Sequence, residues 1–420
     1  MISNDVSLRV SVSGGSYRIQ IGSGILKQAF SEIDYAYRNK NVFIITDSHI
    51  LGLYQKKIIS SMPVALKERC TFYSFPAGEK SKSRKQKENL ENFLFQRGVN
   101  RNTLLIAFGG GVTGDLCGFT ASTMLRGIPF IQFPTSVIAM VDSSVGGKTG
   151  IDTSWGKNLL GTFYQPKAVY IDVDLLSTLP ELEYRSGLAE VIKCACIKCS
   201  RLFQYLVHNK TGILMRDTGA LVRLIHRCLE IKSEVVGKDE KETGGYRKIL
   251  NFGHTFAHAF ELFSNFRINH GNAVGLGMAL EARIAADLNL LIQSTYKKIT
   301  ALIRAYGLPD APPPALWAGI KKKALAKLKP HSAPAKKKLK AKKTSKAVRA
   351  SRIAAEHRAI TEMFYDTMLL DKKSQAGSVY MSLITDIGKP DRGDGSYSRK
   401  ILKRDIAAVL PGLTGGFQNI

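Results

Sequence analysis

Several short stretches bring together residue types that can bind or react. Asn251, His254 and His258 stand three and four apart, so on a helix they share one face. His254 and His258 at i, i+4 could both ligate a metal. Alternatively, one ligates while the other does acid–base work or holds a substrate. His270 heads the next helical pattern, and Glu190 and Lys193 share a face of an earlier one. Two histidines and one glutamate with an open position would make a catalytic zinc arrangement; histidines satisfied within a core explain the same pattern more plainly.

A second kind of chemistry is written in glycine. Gly109-Gly-Gly-Val-Thr-Gly114-Asp115 follows an apolar run and precedes a helical pattern. Glycines there let backbone N–H groups approach a phosphate, and a helix N-terminus favours an anion. A plain strand-to-helix turn would account for them too, since the spacing departs from the usual dinucleotide fingerprint. Asp47, ending an earlier apolar run, could accept hydrogen bonds from a ribose. The run from Pro134 to Gly150 is dense in small and polar groups, with Asp142 and Lys148 six apart, and Lys157-Asn158 follow a glycine. Such a run suits a polar lining close to a ligand. Cys194, Cys196 and Cys199 lie in one apolar helical segment and read as core packing rather than a metal site.

These residues need elements to hold them. Val42–Asp47, Thr71–Pro76, Thr103–Phe108, Phe130–Phe133 and Ala168–Asp172 read as strands, with helical periodicity over 48–61 and 82–95. Strand–helix alternation implies a parallel sheet with helices on its faces. From about Pro180 long apolar-periodic segments take over: 186–208, 217–237, 251–263, 271–292 and 295–305. The expectation is therefore an α/β domain over 1–178 and an all-α domain over 179–420, with the cleft between them as the default site.

The composition of the 420 residues allows this and excludes collagen-like, disulfide-scaffold and wholly disordered chains. No apolar run is long enough for a membrane span. The first residues lack the order of a secretion signal. Six cysteines are too sparse for a disulfide framework, which points to reduced thiols in a cytoplasm. The net charge is +27, but Lys321–Arg352 holds 14 Lys and Arg and no acid, leaving +13 on the rest. A basic remainder suits an anionic substrate as readily as nucleic acid. The low-complexity segment 313–352 reads as a solvated loop with at most marginal helix. Contact with nucleic acid is the sharper alternative for 321–352, although no aromatics are interleaved for stacking.

Taken together, the chain resembles the 3-dehydroquinate synthase family. Gln132-Phe-Pro-Thr-Ser through Val-Asp-Ser-Ser-Val-Gly-Gly-Lys-Thr-Gly to Gly156-Lys-Asn carries the resemblance. So do Gln165-Pro, Thr178-Leu-Pro, Gly187-Leu-Ala-Glu-Val-Ile-Lys193, Leu250-Asn-Phe-Gly-His-Thr-Phe-Ala-His-Ala-Phe-Glu261 and His270-Gly-Asn-Ala-Val. It covers nearly all of the chain outside the basic segment. The family usually has Gly where Ala257 stands, Glu where Asn272 stands and Thr at Ser136, and Tyr246 looks like one extra residue before Arg247.

The resemblance implies an N-terminal nucleotide-binding α/β domain, a helical C-terminal domain, NAD, and one divalent metal, zinc or cobalt. It implies Glu190, His254 and His270 as metal ligands. For NAD it implies Asp47, Gly78, Glu79 and Lys82, then Gly110, Gly111, Val112, Thr113, Gly114 and Asp115. Thr135, Ser136, Lys148, Lys157, Leu175 and Thr178 complete that set. For substrate it implies Arg126, Asp142, Lys148, Asn158, Lys193, Lys232, Arg247, Asn251, His258 and one lysine of Asp371-Lys372-Lys373, with Lys372 preferred. The reaction implied converts a seven-carbon keto-acid phosphate (DAHP) to 3-dehydroquinate and phosphate, in a homodimer. Another sugar-phosphate cyclase and a metal-dependent polyol dehydrogenase are the alternatives.

Overall fold

A computed structural model describes residues 5–327, 345–370 and 377–410. Two compact units emerge: Met1–Cys194 with Gln204–Arg247, and Ala195–Phe203 with Lys248–Ile420. The sequence suggested a crossing at 178/179; the chain passes between these compact units at 194/195, 203/204 and 247/248.

The first unit holds strands β1 (Val6–Val12), β2 (Gly15–Gly22), β3 (Asn41–Asp47), β4 (Cys70–Phe75), β5 (Thr103–Gly109), β6 (Phe130–Pro134), β7 (Lys148–Thr153), β8 (Gly156–Phe163) and β9 (Ala168–Asp172). Seven of these form one sheet in the order β1-β2-β9-β6-β5-β3-β4. All neighbours pair in parallel except the β1–β2 hairpin at one edge. The five strands read from sequence fall where expected to within a residue or two. The hairpins β1–β2 and β7–β8 are additions to that reading.

Helices α1 (Leu26–Ala36), α2 (Ser48–Ser61), α3 (Val64–Glu68), α4 (Arg84–Gln96) and α5 (Gly111–Thr123) follow their strands. On one side of the sheet Phe43, Ile45, Leu105, Ala107 and Phe130 pack with Leu90 and Leu94 of α4 and Leu116, Cys117 and Ala121 of α5. On the other, Phe133 stacks on Phe30 of α1 and on Phe108, which meets Tyr54 of α2. Cover on both faces is why β5 is an unbroken apolar run, buried at all seven residues.

Helices α6 (Glu181–Lys198) and α7 (Ser200–His208) each pass from one unit to the other; α8 (Lys210–Leu214) and α9 (Thr218–Lys238) belong to the first. The second unit continues with α10 (His254–Phe263), α11 (His270–Asp287), α12 (Gln293–Ala305), α13 (Pro314–Lys327), α14 (Ser345–Leu369) and α15 (Lys403–Val409). It is helical, with short strands that the sequence did not announce: β10 (Val379–Met381), β11 (Ile384–Asp386), β12 (Lys389–Pro390) and β13 (Arg399–Ile401).

The loop expected over 313–352 is corrected for 314–327. That stretch is helix α13, with Trp317, Ile320 and Ala324 buried and Lys321 paired with Glu356 of α14 at 2.8 Å. Apolar residues at helical spacing under the charges anchor it. Residues 328–344 lie outside the described residues. Among the described residues no helix is long and apolar enough to cross a membrane.

Candidate active site

The carboxyl ends of β3 and β5 lie side by side where the strand order reverses, with β4 on one side of β3 and β5 on the other. Ligands of open α/β sheets bind in the crevice at such a point. Asp47 ends β3 and caps α2, its Oδ1 accepting from the N–H groups of His49 and Ile50 at 3.0 Å. Gly110 and Gly111 lead from β5 into α5, where backbone N–H groups and the helix dipole favour an anion. The glycines have different jobs. A Cβ at Gly114 would stand 2.8 Å from Gln132 Oε1, so this glycine lets α5 lie close to β6. Gly110 and Gly111 are looser, with only the hydroxyls of Ser136 and Ser143 nearby. Thr113 is buried and Val112 half-buried beside them.

Around this edge, Thr135 N–H donates to Gly109 O at 3.0 Å and Ser136 Oγ accepts from Ala139 N–H at 3.3 Å. The Tyr54 hydroxyl joins Leu175 O at 3.0 Å and Thr178 Oγ1 at 2.5 Å. Gly78 has φ +109, which opens the short 3-10 turn carrying Glu79. Lys157 Nζ lies 3.8 Å from Glu79. Lys82 is buried and donates to both Asp115 and Asn158. Burial alone would lower its pKa, but Asp115, Glu79 and Asp152 outweigh it and hold the ammonium above its ordinary value. Burial pushes the Asp115 carboxyl up, against the pull of Lys82. Asn158 takes φ +55, its N–H donating to Asp152 Oδ1 at 2.9 Å, so one lysine ties a residue of the glycine-led helix to one expected at the substrate.

Asp142 is the hub of a second cluster. It sits on a π-helical turn, Ala139–Ser143, a form that recurs at functional sites. Lys232 of α9 donates to its carboxylate at 2.7 Å and also to its backbone carbonyl. On α6 Glu190 and Lys193 form a fully buried ion pair one helical turn apart. Desolvation opposes the charge on Asp142, but Lys232 and Lys193 prevail and hold its carboxyl below the usual range. Lys193 is held above its ordinary value: burial pulls it down, and Glu190 and Asp142 outweigh that pull. Lys232 is lowered, by burial first and then by Arg247 and Lys193, against Asp142.

Arg247 is buried and held below its ordinary value by that burial. Its side chain donates to Glu240 O at 2.6 Å, and its amide donates to Asp239 at 3.1 Å. A Cβ at Gly146 would fall 2.6 Å from Arg247 Nη2, which explains the first glycine of the Gly-Gly pair. Lys148 pairs with Glu242, which also lies 3.4 Å from Arg247 Nε. Desolvation and Arg247 hold Lys148 below its usual value.

The imidazoles are held differently. Asn251 ends a 3-10 turn, Tyr246–Asn251, and α10 begins only at His254, with Gly253 left-handed at φ +83 between them. The continuous helix expected over 251–263 is therefore broken, and Asn251 does not share one helical face with the histidines. His254 and His258 do lie on α10, their ring centres 5.7 Å apart. The ring centre of His270, first residue of α11, is 5.4 Å from that of His254. His254 Nδ1 lies 3.3 Å from Phe252 O and His270 Nδ1 lies 3.2 Å from Glu261 Oε1. Donation from both Nδ1 atoms leaves the lone pairs on Nε2, the arrangement metal-binding histidines adopt. Ligand atoms of Glu190, His254 and His270 all lie within 4.8 Å of one another. One carboxylate and two imidazoles so placed fit a divalent cation with a position left open.

Not everything expected is gathered. Arg126 is exposed at φ +66, and among the described residues no hydrogen bond or ion pair joins it to the Asp142 cluster. Lys372 and Lys373 lie outside the described residues. Cys194, Cys196 and Cys199 are buried and form no metal group among the described residues. Sequence reasoning passed over Glu242, Glu261 and Glu281. Glu261 could have been found, seven residues after His254 on the same helix.

Family models described as 3-dehydroquinate synthase N-terminal and C-terminal match residues 72–186 and 187–329. A 3-dehydroquinate synthase of Desulforamulus reducens is 43% identical over 308 residues, 73% of this chain and 85% of that protein. Among solved structures, 2-deoxy-scyllo-inosose synthase in complex with carbaglucose-6-phosphate, NAD+ and Co2+ is similar with a TM-score of 0.77 at 22% identity, covering 96% of this chain and 99% of the other. The 2-epi-5-epi-valiolone synthase ValA of Streptomyces hygroscopicus subsp. jinggangensis 5008, with NAD+ and Zn2+ bound, has a TM-score of 0.72 at 23% identity, covering 96% and 98%. At such identities the structural likeness establishes a common fold.

Proposed function

The chain belongs to the 3-dehydroquinate synthase family, and from that premise we propose that it is a carbon–oxygen lyase converting DAHP to 3-dehydroquinate and phosphate. The conversion runs through transient oxidation, phosphate elimination, re-reduction and intramolecular aldol closure, in the shikimate pathway to chorismate and the aromatic amino acids. The observation that carries this reading is the Glu190–His254–His270 group. When bound, NAD takes up and returns the hydride, and the divalent cation polarises the hydroxyl undergoing oxidation.

The residues take the following parts in this reading. Glu190, His254 and His270 hold the cation. Asp47, Glu79, Lys82, Asp115 and the amides led by Gly110 and Gly111 hold the dinucleotide, with Lys157 and Thr178 beside them. Asn158, Lys193, Arg126 and Lys372 hold the phosphate, whose charge needs cations close by. Lys148, Lys232 and Arg247 hold the carboxylate and hydroxyls, Arg247 alone offering a planar fork. Asp142, already bonded to Lys232, orients a reacting hydroxyl. His258 relays a proton or bonds a hydroxyl, and Asn251 contacts the substrate. Two buried lysines and a buried arginine near one carboxylate support an anionic, oxygen-rich substrate.

The same reading gives a homodimer, and a cytoplasmic protein on the strength of six free cysteines. The test is turnover of DAHP with NAD and zinc or cobalt. Phosphate release with no net accumulation of NADH is the expected result. Accumulating NADH on a polyol without phosphate release would instead make the protein a dehydrogenase.

A further inference from the structure

Two buried carboxylates in the second unit have no part in the reaction above, and both act on the imidazole ligands. Glu281 lies on α11 and is fully buried. Its Oε2 accepts the Gly253 N–H at 2.7 Å and its Oε1 accepts the Thr255 N–H at 3.1 Å. Those amides flank His254 on either side. The approach is tight. A Cβ at Gly277 would stand 1.7 Å from Gly253 O, and one at Gly253 would stand 2.7 Å from Met278 Cγ. Thus α11 presses on the turn that presents His254.

The second brace runs the other way. Glu261 of α10 is also buried, and its Oε1 meets Nδ1 of His270, the first residue of α11. Each helix therefore contributes one imidazole and uses a carboxylate to hold the imidazole of the other. The carboxylate suits this place because each amide meets its own oxygen, whereas glutamine would turn an NH2 donor toward one of the two N–H groups.

We propose that Glu281 and Glu261 are positioning residues that together fix the spacing of His254 and His270 and so set the affinity for the divalent cation. The proposal rests on the reading that Glu190, His254 and His270 hold that cation. Outer partners of metal-bound histidines commonly govern affinity by about 10–100-fold.

The experiment compares the full-length wild type with Glu281→Gln and Glu261→Gln. Cobalt and zinc dissociation constants are measured by competition with a chromogenic chelator on gel-filtered, folded protein, alongside the visible bands of bound Co2+. Each variant should weaken the cation about 10–100-fold and shift the Co2+ bands. Activity should recover as cation is raised, with KM for DAHP unchanged. A purely structural role would lower the melting temperature and leave both affinity and bands at wild-type values; that result overturns the proposal. Should Glu281→Gln not fold, wild-type amide exchange decides for Glu281. Coupling is reciprocal, so cation loading must slow exchange at Gly253 and Thr255. Unchanged exchange there overturns it. A wild type that binds no cation refutes the functional reading itself, whereas a binding wild type with unaffected variants refutes this inference alone.

Discussion

Around Asp142, charge answers charge: Lys232 bonds its carboxylate, Lys193 pairs with Glu190, and Arg247 and Lys148 share Glu242. Around His254 and His270, Phe252 O and the Glu261 carboxylate meet the imidazoles, while the Glu281 carboxylate holds the two amides that flank His254. The first cluster is built of long side chains in mutual ion pairs, which can exchange partners when an anion arrives. The second is pinned to helix backbones and can do little but hold one spacing. In the reading proposed above, a substrate passing through several chemical states would meet the first kind of network, and a cation whose geometry must stay constant the second.

This contrast can be broken by experiment. The largest effect is expected for His254→Ala, which should strip the cation and reduce turnover to background; stoichiometric cation by elemental analysis would contradict it. Next, Lys232→Ala leaves the Asp142 carboxylate without its closest cation. Breaking a fully buried pair costs about 3–5 kcal/mol; here the lysine is buried but the carboxylate only half-buried, so a smaller loss is expected, read as a lower urea midpoint. Removing Asp142 as well should return part of that loss, because the remaining charges can regroup. An additive double mutant would show that the cluster does not behave as one network.

Acid should separate the two networks more gently. The Asp142 carboxyl is held below its ordinary value, so the unfolded chain binds the proton more readily. Its stabilising contribution is complete above about pH 4 and is lost as pH falls through the folded value. The melting temperature of wild type should therefore fall more steeply below about pH 4 than that of Asp142→Asn. Parallel curves would remove Asp142 from the account. The smallest effect is expected for deleting 328–344 with a short linker, which should touch neither network and leave kcat/KM within a few-fold. Extending the deletion to 319–352 removes the buried Ile320 and Ala324 and should cost soluble protein.

What could be read from sequence follows from where the partners lie. The strands β3, β5, β6 and β9 announce themselves because burial on both faces demands largely apolar runs. Glu190 with Lys193 and His254 with His258 are legible because helical spacing alone pairs them. Glu281 is invisible, since it binds the amides of Gly253 and Thr255, and any residue type supplies an amide. The break before α10 turns on one left-handed glycine in an otherwise helical pattern. In α13 a run of lysines masks Trp317, Ile320 and Ala324, whose spacing is helical. The expected metal triad and glycine loop became specific through the family's long motifs; histidine spacing alone left several arrangements open.

The interleaved course of the chain has a consequence for synthesis. The first unit is not complete until Arg247 has been made, because α9 belongs to it, and the second takes its opening turn from Ala195–Phe203. Neither can be excised as a continuous fragment. On the ribosome the early sheet must wait, partly uncovered, for well over half the polypeptide to emerge, a stage at which chaperone dependence and nascent-chain aggregation are to be sought.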